Sequence, residues 1–185
     1  MDFMPEQPRI VVGVAGRIGS GKTAVAQELA RFFGFEYFRY SLVLADWFGA
    51  NPSDKEYLQE IGGGVMSGEG QLELNRRLIR LIPAGTDSVV DGLRHPLDFA
   101  SLDAQFRHSF SLIFIETARN IRFERLRGRF SDLHQFEQAD AREVESNIDD
   151  LKPLASAILP GTLERAEVHA TLRSLLTGFR EKAQS

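Results

Sequence analysis

The chain has 185 residues, 43% of them hydrophobic, and a net charge of −4, the size of one domain able to bury a substantial core. It contains no cysteine, which excludes disulfides and thiolate metal sites and fits a reducing cytosol; the acidic balance argues against broad nucleic-acid or membrane-surface binding. The opening MDFMPEQPRI has no basic start and no apolar core, unlike a secretory signal, and no run approaches the ~18 apolar residues of a membrane helix, so a cytoplasmic protein is expected, as a monomer or homodimer.

Ile10 to Ala15 is an almost continuous apolar run, the pattern of a strand buried on both faces. Thr23 to Phe33 has helical spacing, with Gly34 placed to end it. FEYFRY reads as a second strand, and Ser41 is placed to cap a helix over LVLADWFGA before Asn51 and Pro52 break it. SDKEYLQEIGGG and GQLELNRRLIRLI are further helices, the first ending in three glycines that read as a hinge. DSVVDG is a buried strand, and Pro96 opens the helix PLDFASLDAQF. FSLIFIE is a strongly apolar strand, followed by an arginine-rich helix, ARNIRFERLRGRF, and a charged one, FEQADAREVESNIDDL. SAILPG is a last short strand, and a helix from Thr162 to about Lys182 closes the chain. This alternation predicts a wound, three-layer α/β/α parallel sheet in one domain spanning 1–185. The strand-free stretch 41–82 reads as a helical insertion.

Residues 16–23, GRIGSGKT, match G-x-x-x-x-G-K-[ST] between a strand and a helix. Gly16, Gly19 and Gly21 permit backbone angles and close approaches that a β-carbon would block. The amides of Arg17, Ile18, Ser20 and Ala24 and their glycine neighbours can then converge on phosphate oxygens at a helix N-terminus. Lys22 supplies a cation for the β- and γ-phosphates, and the Thr23 hydroxyl is a ligand for Mg2+. ATP with Mg2+ is the expected cofactor pair.

In VVDGLRHP, Asp91 ends a strand at the sheet's carboxyl edge, where the phosphate loop also lies. Its carboxylate suits a Mg2+-bound water or an acceptor oxygen. Arg94 is a planar cation suited to a phosphate on a second substrate, and His95 reads as a pre-proline turn residue. Arg122, Arg125 and Arg129 fall near one side of the following helix, opposite Phe123, Leu126 and Phe130. They read either as a solvated basic face or as a lid, 125–137, that brings arginines to the transferring phosphoryl group. Arg39, Arg76 and Arg77 are weaker acceptor candidates. The four histidines lack metal-ligand spacing, and Trp47 reads as packing.

These stretches resemble the nucleoside-monophosphate-kinase branch of phosphate-loop proteins, most closely its dephospho-CoA-kinase-like and deoxynucleoside-monophosphate-kinase-like members. The resemblance rests on Asp91 to Arg94, on Arg122 to Arg129, and on Phe136 to Glu143 with Asp140 and Arg142. It implies the phosphate-loop NTPase fold and transfer from ATP to a small phosphorylated acceptor, with Lys22, Asp91, Arg94, Arg125 and Arg129 catalytic, Thr23 and Asp91 at the metal, and Gly161 bordering the adenine. The chain departs from the branch after its second strand, where RYSLVLAD carries Ser41 and Asp46 instead of an immediate acceptor-base aspartate, and Thr-Gly-Asp is absent. A kinase for an unphosphorylated metabolite, of shikimate or gluconate type, and a non-catalytic ATP-binding module are the alternatives. No Asn-Lys-x-Asp guanine-reading motif occurs.

Overall fold

A computed structural model describes residues 9–65, 69–143 and 147–185. Residues 1–8, on which the expectation about a secretory signal rests, residues 66–68 of the stretch read as an insertion, and the 144–146 part of the charged helix lie outside the described residues. Five strands, β1 (Val11–Ala15), β2 (Glu36–Arg39), β3 (Ser88–Leu93), β4 (Phe110–Glu116) and β5 (Ala157–Pro160), form one parallel sheet in the order β2-β3-β1-β4-β5. Side-chain alternation divides the core into two layers. Ile10, Val12, Val14, Val89, Ile113 and Ile115 meet α1 (Lys22–Phe33) and α8 (Arg165–Ala183) on one face. Val11, Ala15, Val90, Phe110, Leu112 and Phe114 face the other way. There they meet α2 (Tyr40–Phe48), α3 (Lys55–Val65), α4 (Glu69–Leu81) and α5 (Pro96–Phe106).

The predicted three-layer sheet is therefore present, and every predicted strand forms. Several helix boundaries differ. Ser41 lies inside the first turn of α2, whose N-cap is Arg39, because Tyr40 is drawn into the core and starts the helix early. The three glycines at 62–64 continue α3 to Val65 and do not interrupt it. The arginine-rich helix is shorter than its sequence suggests. The helix α6 spans only Arg119–Arg125, and turns follow before α7 (Leu133–Glu143). Val43, Leu44, Leu58, Leu74 and Leu78 share one buried cluster with the sheet's own side chains.

At β3 the pairing with β1 slips by one residue. Val14 pairs with Asp91 but Ala15 pairs with Leu93, leaving Gly92 as the extra residue at φ 90°. Only glycine takes that angle cheaply. The bulge sends Leu93 into the α5-side core while Asp91 keeps the α1-side orientation of Val89.

Candidate active site

The loop between β1 and α1 occupies the sheet's carboxyl edge at the strand flanked by β3 and β4. Gly21, at φ 98°, is the N-cap of α1 and provides no side-chain cap. The first-turn amides of that helix are thus left for an external anion. Lys22 reaches back to the Arg17 carbonyl with its Nζ at 3.4 Å. Ala24 lies exposed in the first turn of α1, whereas Ile18 is buried beneath the loop. The Arg17 side chain turns away to Asp149, with Nε at 3.0 Å from Oδ1, and its guanidinium holds the Asp149 carboxyl below the usual carboxylate range.

Asp91 is completely buried. Its Oδ2 accepts hydrogen bonds from the Thr23 hydroxyl at 2.8 Å and the Tyr37 phenol at 2.7 Å, while Arg39 Nε stands 3.7 Å away. Its Oδ1 has no partner. A buried carboxylate oxygen without a partner is costly unless something charged or protic is delivered to it. Burial, reinforced by the Asp91 hydrogen bond and charge, pushes the Tyr37 phenol well above its ordinary range. Among the described residues no group of three His, Asp or Glu forms a metal cage. One carboxylate and one hydroxyl beside a phosphate cradle fit Mg2+, which typically borrows its remaining ligands from phosphates and water. Thr23 and Asp91 are the residues that would hold it.

On the far side of the loop, Thr117 Oγ1 donates to the Ser20 carbonyl at 2.9 Å. Arg125 spans the gap to β5. Its Nη1 donates to the Gly19 and Ser20 carbonyls at 3.3 Å, and its Nη2 to the Gly161 carbonyl at 2.7 Å. Gly161 packs so tightly that a β-carbon would lie 2.0 Å from the Ser20 carbonyl oxygen and 2.1 Å from Thr117 Oγ1. Arg125 and Gly161 are thus brought to the loop. Arg129 is not: it is exposed, with its guanidinium over the Phe130 ring at 5.3 Å, because the chain turns after Arg125. Arg122 does not share an open basic face either. It is buried, paired through both terminal nitrogens with Asp140 at 2.7 and 3.0 Å, and it donates to the Ile18 carbonyl at 3.1 Å.

Arg94 follows β3 and is partly buried. Its backbone N–H and that of His95 both donate to Asp98 Oδ2 at 3.0 Å. Asp98 also accepts from Asn75 and Gln71 on α4, and Asn75 accepts from the Tyr40 phenol. Burial pushes the Asp98 carboxyl up against these hydrogen bonds. His95 caps α5 through Nδ1, accepting the Leu97 N–H at 3.0 Å, which agrees with its reading as a turn residue. Trp47 packs against the core under the Arg77 guanidinium.

Sequence reasoning missed Tyr37, Thr117, the Arg122–Asp140 pair and the Asp98 network. The alternation of β2 places Tyr37 on the α1 face with Asp91, which was available as a signal. No local spacing links Arg122 to Asp140. A cavity of ≈ 370 Å³ adjoins the loop, lined in part by Arg17, Glu116, Thr117, Asp149 and Lys152. Another, ≈ 380 Å³, lies by Phe35 and Arg180 and shares no residue with the loop. Among the described residues no helix is long and apolar enough to cross a membrane.

The parallel sheet order, the glycine loop capping α1 and the buried strand-end aspartate define a three-layer phosphate-loop NTPase fold with helical insertions. The chain belongs to the AAA domain family, whose profile matches residues 12–147. Its fold is similar to that of a sugar kinase from Janibacter sp. HTCC2649, with a TM-score of 0.67 and 17% identity over 92% of this chain and 95% of that one. It is also similar to a gluconokinase from Sinorhizobium meliloti 1021, with a TM-score of 0.63 and 17% identity over 97% and 95% of the two chains. A shikimate kinase from Acinetobacter baumannii, solved with shikimate, gives a TM-score of 0.63 and 15% identity over 93% and 96%. No curated protein matches the sequence. These findings support the phosphate-loop superfamily and not the dephospho-CoA-kinase-like branch in particular.

Proposed function

We propose that the chain transfers the γ-phosphoryl group of Mg·ATP to a hydroxyl of a small metabolite that carries an anionic group. The observation that carries this reading is the unpartnered Oδ1 of the buried Asp91, one hydrogen bond away from the phosphate-loop Thr23. The similar folds named for a sugar, gluconate and shikimate support a hydroxylated metabolite as acceptor over a nucleotide.

In this reading the loop amides from Gly16 to Ala24 and the α1 N-terminus hold the phosphates, and Lys22 balances their charge. Mg2+, when bound, neutralises developing charge on the phosphate oxygens. Asp91 orients the acceptor hydroxyl and accepts its proton as the acceptor oxygen bonds to the γ-phosphorus. The bond from that phosphorus to the bridging oxygen breaks, and ADP leaves with that electron pair. Arg125, whose donors hold the Gly19, Ser20 and Gly161 carbonyls, braces the loop and turns to the donor phosphates when nucleotide binds. Arg129 must move to act there, as a lid over 125–137 would allow.

The acceptor's anion is assigned to Arg94 and Arg39, which follow or end β3 and β2 at the same edge. A phosphorylated acceptor such as a nucleotide is the second reading, favoured by the same two arginines. Arg94→Ala should raise the acceptor's KM about ten- to hundredfold, the worth of a charge-assisted pair, and leave the KM for ATP nearly unchanged. A rise in the KM for ATP with the acceptor spared would move Arg94 to the donor site.

A further inference from the structure

We propose that Tyr37 is a positioning residue for the catalytic carboxylate. It grips Asp91 Oδ2 from β2 while Thr23 grips the same oxygen from α1, so that Oδ1 alone is presented to the metal and the acceptor. The inference rests on the Mg·ATP reading of the loop and adds to it a residue that neither the phosphate-loop motif nor the strand-end aspartate specifies.

Three observations meet at this point. The two donors lie at nearly equal distances, 2.7 Å from Tyr37 and 2.8 Å from Thr23, and come from different elements. The carboxylate they hold is fully buried, and its other oxygen has no partner. The β2–β3 register pairs Tyr37 with Val89 and Arg39 with Asp91, so the phenol reaches diagonally along the ladder to the carboxylate. A buried carboxylate supported by a single donor is free to rotate and is poorly compensated for its lost hydration. Thr23 gives its hydroxyl proton to Asp91 and would offer a lone pair of the same oxygen to the metal, so its position would answer to both. Tyr37 has no such second duty. Its ring packs beside the α1-side core, so phenylalanine would keep the packing and lose only the hydroxyl.

The test measures binding of a non-hydrolysable ATP analogue, AMP-PNP, by calorimetry with and without Mg2+, in the wild-type protein, Tyr37→Phe, Asp91→Asn and the double variant. Melting temperatures serve as the check on folding. Mg2+ should tighten wild-type binding, and Tyr37→Phe should lose about tenfold of that enhancement, as expected for a hydrogen bond to a charged group. Its metal-free affinity should stay unchanged. General loosening of the loop would instead weaken both. Because Tyr37 acts through Asp91, its effect should vanish in the Asp91→Asn background. Full wild-type enhancement in Tyr37→Phe, or an undiminished Tyr37 effect without the Asp91 carboxylate, would overturn the positioning role and leave the proposed activity standing. No enhancement in the wild-type protein would overturn both.

Discussion

Asp91 shows how the surroundings of one buried carboxylate make its two oxygens unequal. Strand alternation from Val89 keeps it on the α1 side of the sheet, Thr23 and Tyr37 hold one oxygen, and the other is left unpaired. Asp91→Asn is nearly isosteric, so the protein should fold with a melting temperature within a few degrees of wild type. Its Mg2+-dependent turnover should fall by two orders of magnitude or more if, as proposed, the carboxylate serves both metal and acceptor. Steady-state kinetics beside a thermal melt check both halves. Gly161 is constrained by space and not by angle. Gly161→Ala forces a methyl into the Ser20 carbonyl and Thr117 hydroxyl, and overpacking of this kind costs ~1–3 kcal/mol. The shift falls on the loop backbone, so nucleotide affinity measured by titration should drop together with stability.

Among the elements, the phosphate loop was legible because its function demands glycines, a lysine and a hydroxyl at fixed spacing in the sequence. The central strands β1 and β4 were legible for a related reason, since burial on both faces demands nearly unbroken apolar runs. The α6–α7 segment was not. Its arginines have helical spacing, but Leu126 already ends the helix, and Arg122 is buried by a partner eighteen residues away on α7. Periodicity reports which residues share a face and does not report which distant carboxylate will meet them. The Arg122–Asp140 pair joins α6 and α7 to the Ile18 carbonyl, with Phe123, Phe130 and Phe136 packed beside it. Arg122→Leu alone leaves the buried Asp140 carboxylate with Arg17 Nη1, at 3.5 Å, as its remaining cation, and should cost up to ~3–5 kcal/mol. Arg122→Leu with Asp140→Leu removes both charges and should recover much of that loss in chemical denaturation. Equal destabilisation of the single and double variants would show that the pair is not what holds α6 and α7 to the loop.

At the scale of the whole molecule, the strand order brings the ends of β2, β3, β1 and β4 to one edge, where an open parallel sheet binds its ligands. The other layer is tied by Glu28 on α1, which pairs with His169 and Arg165 on α8. The His169 hydrogen bond, helped by Arg165, holds the Glu28 carboxyl below its ordinary value against the opposing effect of burial. A lowered carboxylate stabilises the fold above its unfolded pKa, and that contribution is lost as pH falls through the lowered value. Glu28→Gln should therefore melt earlier than wild type at pH 7 and converge with it in acid. A constant gap at every pH would show that the Glu28 charge does not tie α1 to α8. In the proposed reaction this edge moves a phosphoryl group to a small hydroxylated acceptor. The direct measurement is Mg2+-dependent ADP release from ATP across sugars, sugar acids, hydroxylated carboxylic acids, nucleoside monophosphates and dephospho-CoA, with Lys22→Ala as the control. Release should depend on an anionic hydroxylated acceptor, yield a phosphorylated product, and be lost in a folded Lys22→Ala. ADP release that ignores every acceptor, or that persists at the wild-type rate in Lys22→Ala, would contradict the proposed reaction.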